Sequence, residues 1–180
     1  MDQSNIKYQA LLPLQWRQTD TPPDTDVQAH VRENNLECLK QALLLDEFSP
    51  VSHDDLASEP RDSARIEKKV DLLLSLVGSM IRNQQSTQQY QVKLTADSMQ
   101  WKANDLSGLQ VQQLIVLQLY LHPYSVSALT LYAEVNEIQA GYCEVNIRYM
   151  DSIVQELLQK YIFLNHRRQV AAKKQTGRPA

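Results

Sequence analysis

Apolar and polar positions alternate through most of the second half of this chain. Val92, Leu94 and Ala96 share one parity; Ile115, Leu117, Leu119 and Leu121 share another. So do Leu129, Leu131, Ala133 and Val135, and finally Cys143, Val145, Ile147 and Tyr149. Lys93, Gln118, Thr130, Glu134, Asn136, Glu144, Asn146 and Arg148 occupy the opposite faces. Period two with one apolar face predicts antiparallel strands curled over one core. The predicted strand runs are Gln89–Ala103, Leu109–Pro123, Ser127–Ile138 and Tyr142–Asp151, with turns at Asn104–Gly108, His122–Ser125 and Gln139–Gly141. A lone strand, Ile6–Trp16, stands at the front with Leu11, Leu12, Leu14 and Trp16; Pro13 inside it argues for an edge or a bulge.

Elsewhere the period changes to that of a helix. Val27, Val31, Leu36, Leu39 and Leu43 give one apolar face over about Thr25–Asp46, with Asp24 or Asp26 as the cap. Ile66, Val70, Leu73, Val77 and Met80 then step by four, three, four and three, a heptad seam on a second helix over about Asp62–Gln88. Leu72, Leu74, Leu76 and Ile81 widen the apolar surface beyond what one packed face requires. Those seam residues are therefore the expected oligomer interface, although a single buried core helix also accounts for them. A terminal helix carries Ile153, Val154, Leu157, Leu158, Tyr161, Ile162 and Leu164, a face able to plug a barrel mouth. The fold class is α+β: a small antiparallel β-barrel with a C-terminal helix and an inserted pair of α-helices. The expected organisation is a barrel-completing strand in 1–20, an inserted helical hairpin in 21–88, the barrel and closing helix in 89–174, and a disordered tail in 175–180.

Composition narrows the chemistry. No run of eighteen apolar residues exists, and the first residues lack the basic start and apolar core of a signal peptide, so a cytoplasmic location is expected. Cys38 and Cys143 sit inside periodic elements without metal-type spacing and are expected as small buried hydrophobes. The net charge of −3 hides an asymmetry: Glu156 is the last acid, and Lys160, Arg167, Arg168, Lys173, Lys174 and Arg178 follow it uncompensated. Such an end suits nucleic acid or anionic lipid, and equally suits cations stabilising a helix C-terminus. No Gly-x-Ser-x-Gly, Walker or dinucleotide motif occurs, only four glycines are present, and the four histidines are scattered. His53-Asp54-Asp55 lies on an acidic linker and reads as solvated polar chain. No catalytic residue, metal site or cofactor is expected. Arg61-x-x-x-Arg65 is the one phosphate-gripping pattern, since two guanidiniums four residues apart can share a helix face. It also reads as the solubilising first turn of the second helix.

The order and spacing of Thr95-Ala96-Asp97-Ser98, Leu117-x-Leu119-x-Leu121-x-Pro123, Leu131–Asn136, Tyr149-Met150-Asp151, Tyr161-Ile162-Phe163 and His166-Arg167-Arg168 resemble the PilZ domain. That family is known for binding cyclic di-GMP on a small barrel with a C-terminal helix. With Tyr8–Trp16 completing the barrel, the helical insertion is similar to that of the atypical, helix-extended members that form tetramers through a heptad helix. Receptors of the family hold the ligand with R-x-x-x-R ahead of the first barrel strand and [D/N]-x-S-x-x-G on a following strand. The second motif maps to Ala96–Trp101: Ser98 matches, Ala96 replaces the acid or amide, and Trp101 replaces the glycine. Residues 2–7 hold no arginine, so Arg61 and Arg65 serve only if the helices bring them over the barrel.

Three functions follow from the resemblance and the residues. One is a non-catalytic adaptor that oligomerises through the heptad helix and meets an unidentified protein partner in cyclic di-GMP-linked regulation. Another is a true cyclic di-GMP receptor with a non-standard site built from Arg61, Arg65 and Ser98, or from the basic tail. The third is a nucleic-acid-binding barrel with a basic C-terminal tail, stacking bases on Trp101, Tyr120 and Tyr132.

Overall fold

The computed structural model describes residues 6–47, 70, 73, 77, 80, 88–122 and 127–176. Six strands form one closed antiparallel barrel: β1 (Tyr8–Gln18), β2 (Gln88–Leu94), β3 (Ser98–Lys102), β4 (Leu114–Leu119), β5 (Leu129–Gln139) and β6 (Tyr142–Arg148). The order around it is β1-β2-β3-β6-β5-β4. Helices α1 (Thr25–Glu47) and α2 (Ser152–Thr176) pack on each other, α1 against β5 and α2 against β1.

Closure depends on β1 changing neighbours. Residues Tyr8–Leu14 pair with β2, and Leu14–Gln18 pair with β4. Pro13 sits at this handover, where a missing amide donor is tolerated, and its carbonyl accepts from the Tyr120 amide at 3.1 Å. The barrel therefore has no edge at Pro13, and the proline marks a change of partner instead. Leu12 and Leu14 point into the core, whereas Leu11, on the other parity, is exposed.

The run Gln89–Ala103 is two strands rather than one. Val92 and Leu94 are buried on even positions; Met99, Trp101 and Ala103 are buried on odd ones. The phase inverts because Thr95–Asp97 turns the chain back, with the Thr95 hydroxyl accepting from the amides of Asp97 and Ser98 at 3.3 and 2.9 Å. Among the described residues of the run Leu109–Pro123, only Leu114–Leu119 is strand. The β5–β6 hairpin closes through Ala140 and Gly141, at φ of 50° and 79°, the two positive values that a type I′ turn demands.

Asp24 caps α1 by accepting from the Val27 amide at 2.8 Å. The helix buries Cys38, Leu39, Ala42 and Leu43, while Val27 is partly exposed. Asn35 is the buried polar residue on that face: its Nδ2 donates to the Thr130 carbonyl at 2.7 Å and its Oδ1 accepts from the Thr130 amide at 2.8 Å. Thr130 lies on β5 beyond the Tyr132–Arg148 pair that ends the β6 ladder. A side-chain amide thus continues the sheet where β6 stops, and it docks α1 in one register. Asn35→Ala leaves both Thr130 groups without this partner and is expected to cost about 2 kcal/mol, with Asn35→Asp keeping the acceptor and losing the donor. Urea denaturation followed by circular dichroism measures both.

Helix α2 seals one end of the barrel with Val154, Leu158, Tyr161 and Ile162. Tyr161 meets Tyr8 edge-on at 5.6 Å and donates its hydroxyl to the Leu121 carbonyl at 2.8 Å. The exposed Tyr149 leaves the face expected for it, because its φ of 55° turns the chain out of β6 toward α2. Cys38 and Cys143 are both buried as reduced thiols. Desolvation pushes the Cys143 thiol up to about 12, so it stays protonated at neutral pH.

Candidate functional site

Residues matching the second ligand motif occupy the β2–β3 turn and β3 itself. Ala96 contributes no polar atom. Asp97, beside it, accepts from the Gln155 side chain at 2.6 Å, and its carbonyl receives the Ile147 amide at 2.8 Å. This carboxylate therefore ties the turn to α2. The Ser98 hydroxyl lies 2.9 Å from the Thr95 hydroxyl, inside the turn it helps to shape. Trp101 is 0% exposed and stacks at a tilt on Trp16, with ring centroids 5.5 Å apart. An indole at the position of the motif's glycine is thus a wall of the core.

Outward-facing neighbours of the motif carry charge of the wrong sign for a dianion. Ser98 pairs across with Asn146, which pairs with Glu134; Gln100 pairs with Glu144, which pairs with Glu137. Lys93, opposite Gln100 on β2, is the cation of this row. Beside the turn, a groove of about 540 Å³ runs between Ala96 and Asp97 on one side and Glu156, Lys160 and Phe163 on the other. Two carboxylates against one ammonium again favour no anion there.

Arg61, Arg65 and Ile66 lie outside the described residues, as does His53-Asp54-Asp55. The remaining seam residues, Val70, Leu73, Val77 and Met80, are helical. Their side chains are 47%, 62%, 48% and 64% exposed in the single chain. Four apolar residues at spacings of three, four and three lie on one side of a helix. Trp101 and Tyr120 are core residues and offer no stacking surface to a base, whereas Tyr132 is half-buried on the outer barrel face. No group of three or more metal-ligating side chains occurs among the described residues. No helix among them is long and apolar enough to cross a membrane.

One cluster was invisible in the sequence. Arg32 on α1 and Arg148 at the end of β6 line the same cleft together with Tyr132 and Tyr149. Arg32 Nε contacts Asp151 at 3.2 Å, and Arg148 Nε contacts Glu134 at 3.2 Å. Asp151 also caps α2, accepting from the Ile153 amide at 2.9 Å. Desolvation opposes its ionisation, but the bonds from Ile153 and Arg32 outweigh it and hold the carboxyl below its usual range.

The architecture is thus a closed six-stranded barrel sealed by a C-terminal helix, with an added helix docked on its side. The family of atypical PilZ domains, described as cyclic di-GMP receptors, matches residues 39–175, and this chain belongs to it. Its fold is similar to that of a pathogenic protein from Xanthomonas campestris, a tetrameric PilZ domain self-assembled via a helical bundle. The two share 18% identity at a TM-score of 0.64, over 92% of this chain and 91% of the other. No curated protein matches the chain at a significant level.

Proposed function

We propose that this protein is an oligomeric, non-catalytic PilZ-type signalling module that works through protein contacts and no longer grips cyclic di-GMP at the family's motif surface. The exposed face of Val70, Leu73, Val77 and Met80 carries the proposal. Contiguous apolar side chains of this size are rarely left in water, and heptad spacing suits burial against copies of the same helix. The tetrameric Xanthomonas neighbour, self-assembled via a helical bundle, supports the same arrangement here. The protein is then expected to elute as an assembly whose light-scattering mass is a multiple of one chain; a monomer at about 100 μM would refute the proposal.

Loss of the nucleotide grip is supported by the motif's own residues. Ala96 lacks an acceptor, Ser98 is engaged with Thr95, Trp101 is part of the core, and Glu134, Glu137 and Glu144 stand on the adjoining outer face. The family's description as cyclic di-GMP receptors favours a second reading, a receptor with a non-standard site using Arg61, Arg65 and Ser98. Titration with the nucleotide separates the two.

A further inference from the structure

The Arg32–Arg148 cleft has the chemistry of a ligand site, and none of its lining residues belongs to the ligand motifs or to the heptad seam. It encloses about 280 Å³ between the first turns of α1 and the outer surface of β5 and β6. Tyr132 and Arg148 are direct cross-strand partners on the barrel wall, and Arg32 reaches the cleft from the helix docked over it. Both guanidiniums are held by their Nε atoms to carboxylates, Arg32 to Asp151 and Arg148 to Glu134. Both arginine side chains remain open to solvent, at 43% and 49% relative exposure. An arginine anchored through Nε has already lost much of its side-chain freedom, and it still offers paired donors to an incoming oxyanion. Asp151 is itself the α2 cap, which orients the carboxylate that Arg32 meets.

Aromatic surface completes the set. Tyr132 is half-buried and Tyr149 is 53% exposed, and both line the same cleft. A phenol ring gives a flat partner to another ring, and guanidinium planes stack on rings as readily as they bind phosphate. The charged side chains lining the cleft are Arg32, Arg148 and Asp151, with Glu134 paired to Arg148 beside it, so an incoming anion would share each guanidinium with a carboxylate. We propose that this cleft binds a phosphate ester carried on a flat ring, with a nucleoside monophosphate as the biological form. The volume is on the scale of one ring and one phosphate.

The test is titration of the full-length protein with GMP, guanosine, phenyl phosphate and inorganic phosphate, read by amide chemical shifts and calorimetry. GMP is expected to bind in the sub-millimolar range and to shift the amides of Tyr132, Arg148 and Tyr149. Guanosine and inorganic phosphate each lose at least about tenfold, because each supplies half of the chemistry. Phenyl phosphate matching GMP would support the site and assign it to a phosphorylated aromatic side chain. Arg32→Ala and Arg148→Ala each weaken binding at least about tenfold with an unchanged thermal melt, while Arg61→Ala leaves it intact. Silence toward GMP and phenyl phosphate at about 1 mM, or binding indifferent to both arginines, would overturn the proposal. Cyclic di-GMP binding that disappears in Arg32→Ala would overturn the nucleoside monophosphate as the cleft's ligand and leave the loss of grip at the motif surface standing. The oligomer mass of every variant is recorded alongside, so failure of assembly and failure of the cleft are told apart.

Discussion

The double variant Leu73→Glu, Val77→Glu is expected to fall apart into monomers while its barrel stays folded. Leu73 and Val77 are the middle residues of the exposed seam, and in an assembly each would face apolar side chains of a partner helix. A carboxylate buried there without a counter-charge costs on the order of 3–5 kcal/mol. Two of them raise the dissociation constant by at least roughly a thousandfold. The barrel core draws on Leu94, Trp101, Leu117, Leu131, Val145 and Leu158, and none of the four seam residues belongs to it. The monomer should therefore keep its strand circular dichroism and its cooperative melt. Leu73→Ala alone, which shortens the side chain without adding charge, should weaken the assembly by much less. An unchanged light-scattering mass in the double variant would remove the heptad face from the account.

Restoring the family's glycine is expected to damage the protein rather than create a receptor. Trp101→Gly empties a core position packed against Trp16 on β1 and paired with Val92 and Cys143 on the flanking strands. Aromatic-to-alanine changes in cores cost about 3–5 kcal/mol, and glycine in a strand adds up to about 1 more. That is a large share of the roughly 5–15 kcal/mol by which a domain of this size is stable. Trp101→Phe makes the informative comparison. The indole N–H is buried with no hydrogen-bond partner among the described residues, so phenylalanine removes an orphan donor and loses only part of the volume. Its cost should be below about 1.5 kcal/mol. Equal losses for phenylalanine and glycine in urea melts would show that the indole nitrogen, not the packing, matters at this position.

How far the sequence could be read depended on whether a property was local. The alternation in Ile115–Leu121, Leu129–Val135 and Cys143–Val145 is local, and those residues are the barrel core as their parity requires. The break between β2 and β3 was present in the same kind of signal. Leu94 and Met99 are of opposite parity, and Thr95, Asp97 and Ser98 between them are turn formers. Treating Gln89–Ala103 as one run hid that inversion, and with it the inward direction of Trp101. Tyr149 continued an alternation that a single left-handed residue ends, which no pattern of side chains reveals. Asn35 sits among apolar helix positions and acquires its role only from a strand end 95 residues away in sequence. The cleft is the extreme case. Arg32 and Arg148 belong to different elements and meet only because α1 docks beside the end of β6. The phosphate-gripping pattern that was legible, Arg61 with Arg65, is a spacing motif, whereas the pair the fold brings together has no spacing at all.

Isothermal titration of the purified protein with cyclic di-GMP tests the central claim most directly, because the family is described by that ligand. The account predicts no heat at ligand concentrations of about 100 μM, which is an interaction weaker than roughly −5.5 kcal/mol. Low-micromolar binding that is lost in Ser98→Ala or Arg61→Ala would contradict it, and would make this chain a cyclic di-GMP receptor in spite of Ala96 and Trp101.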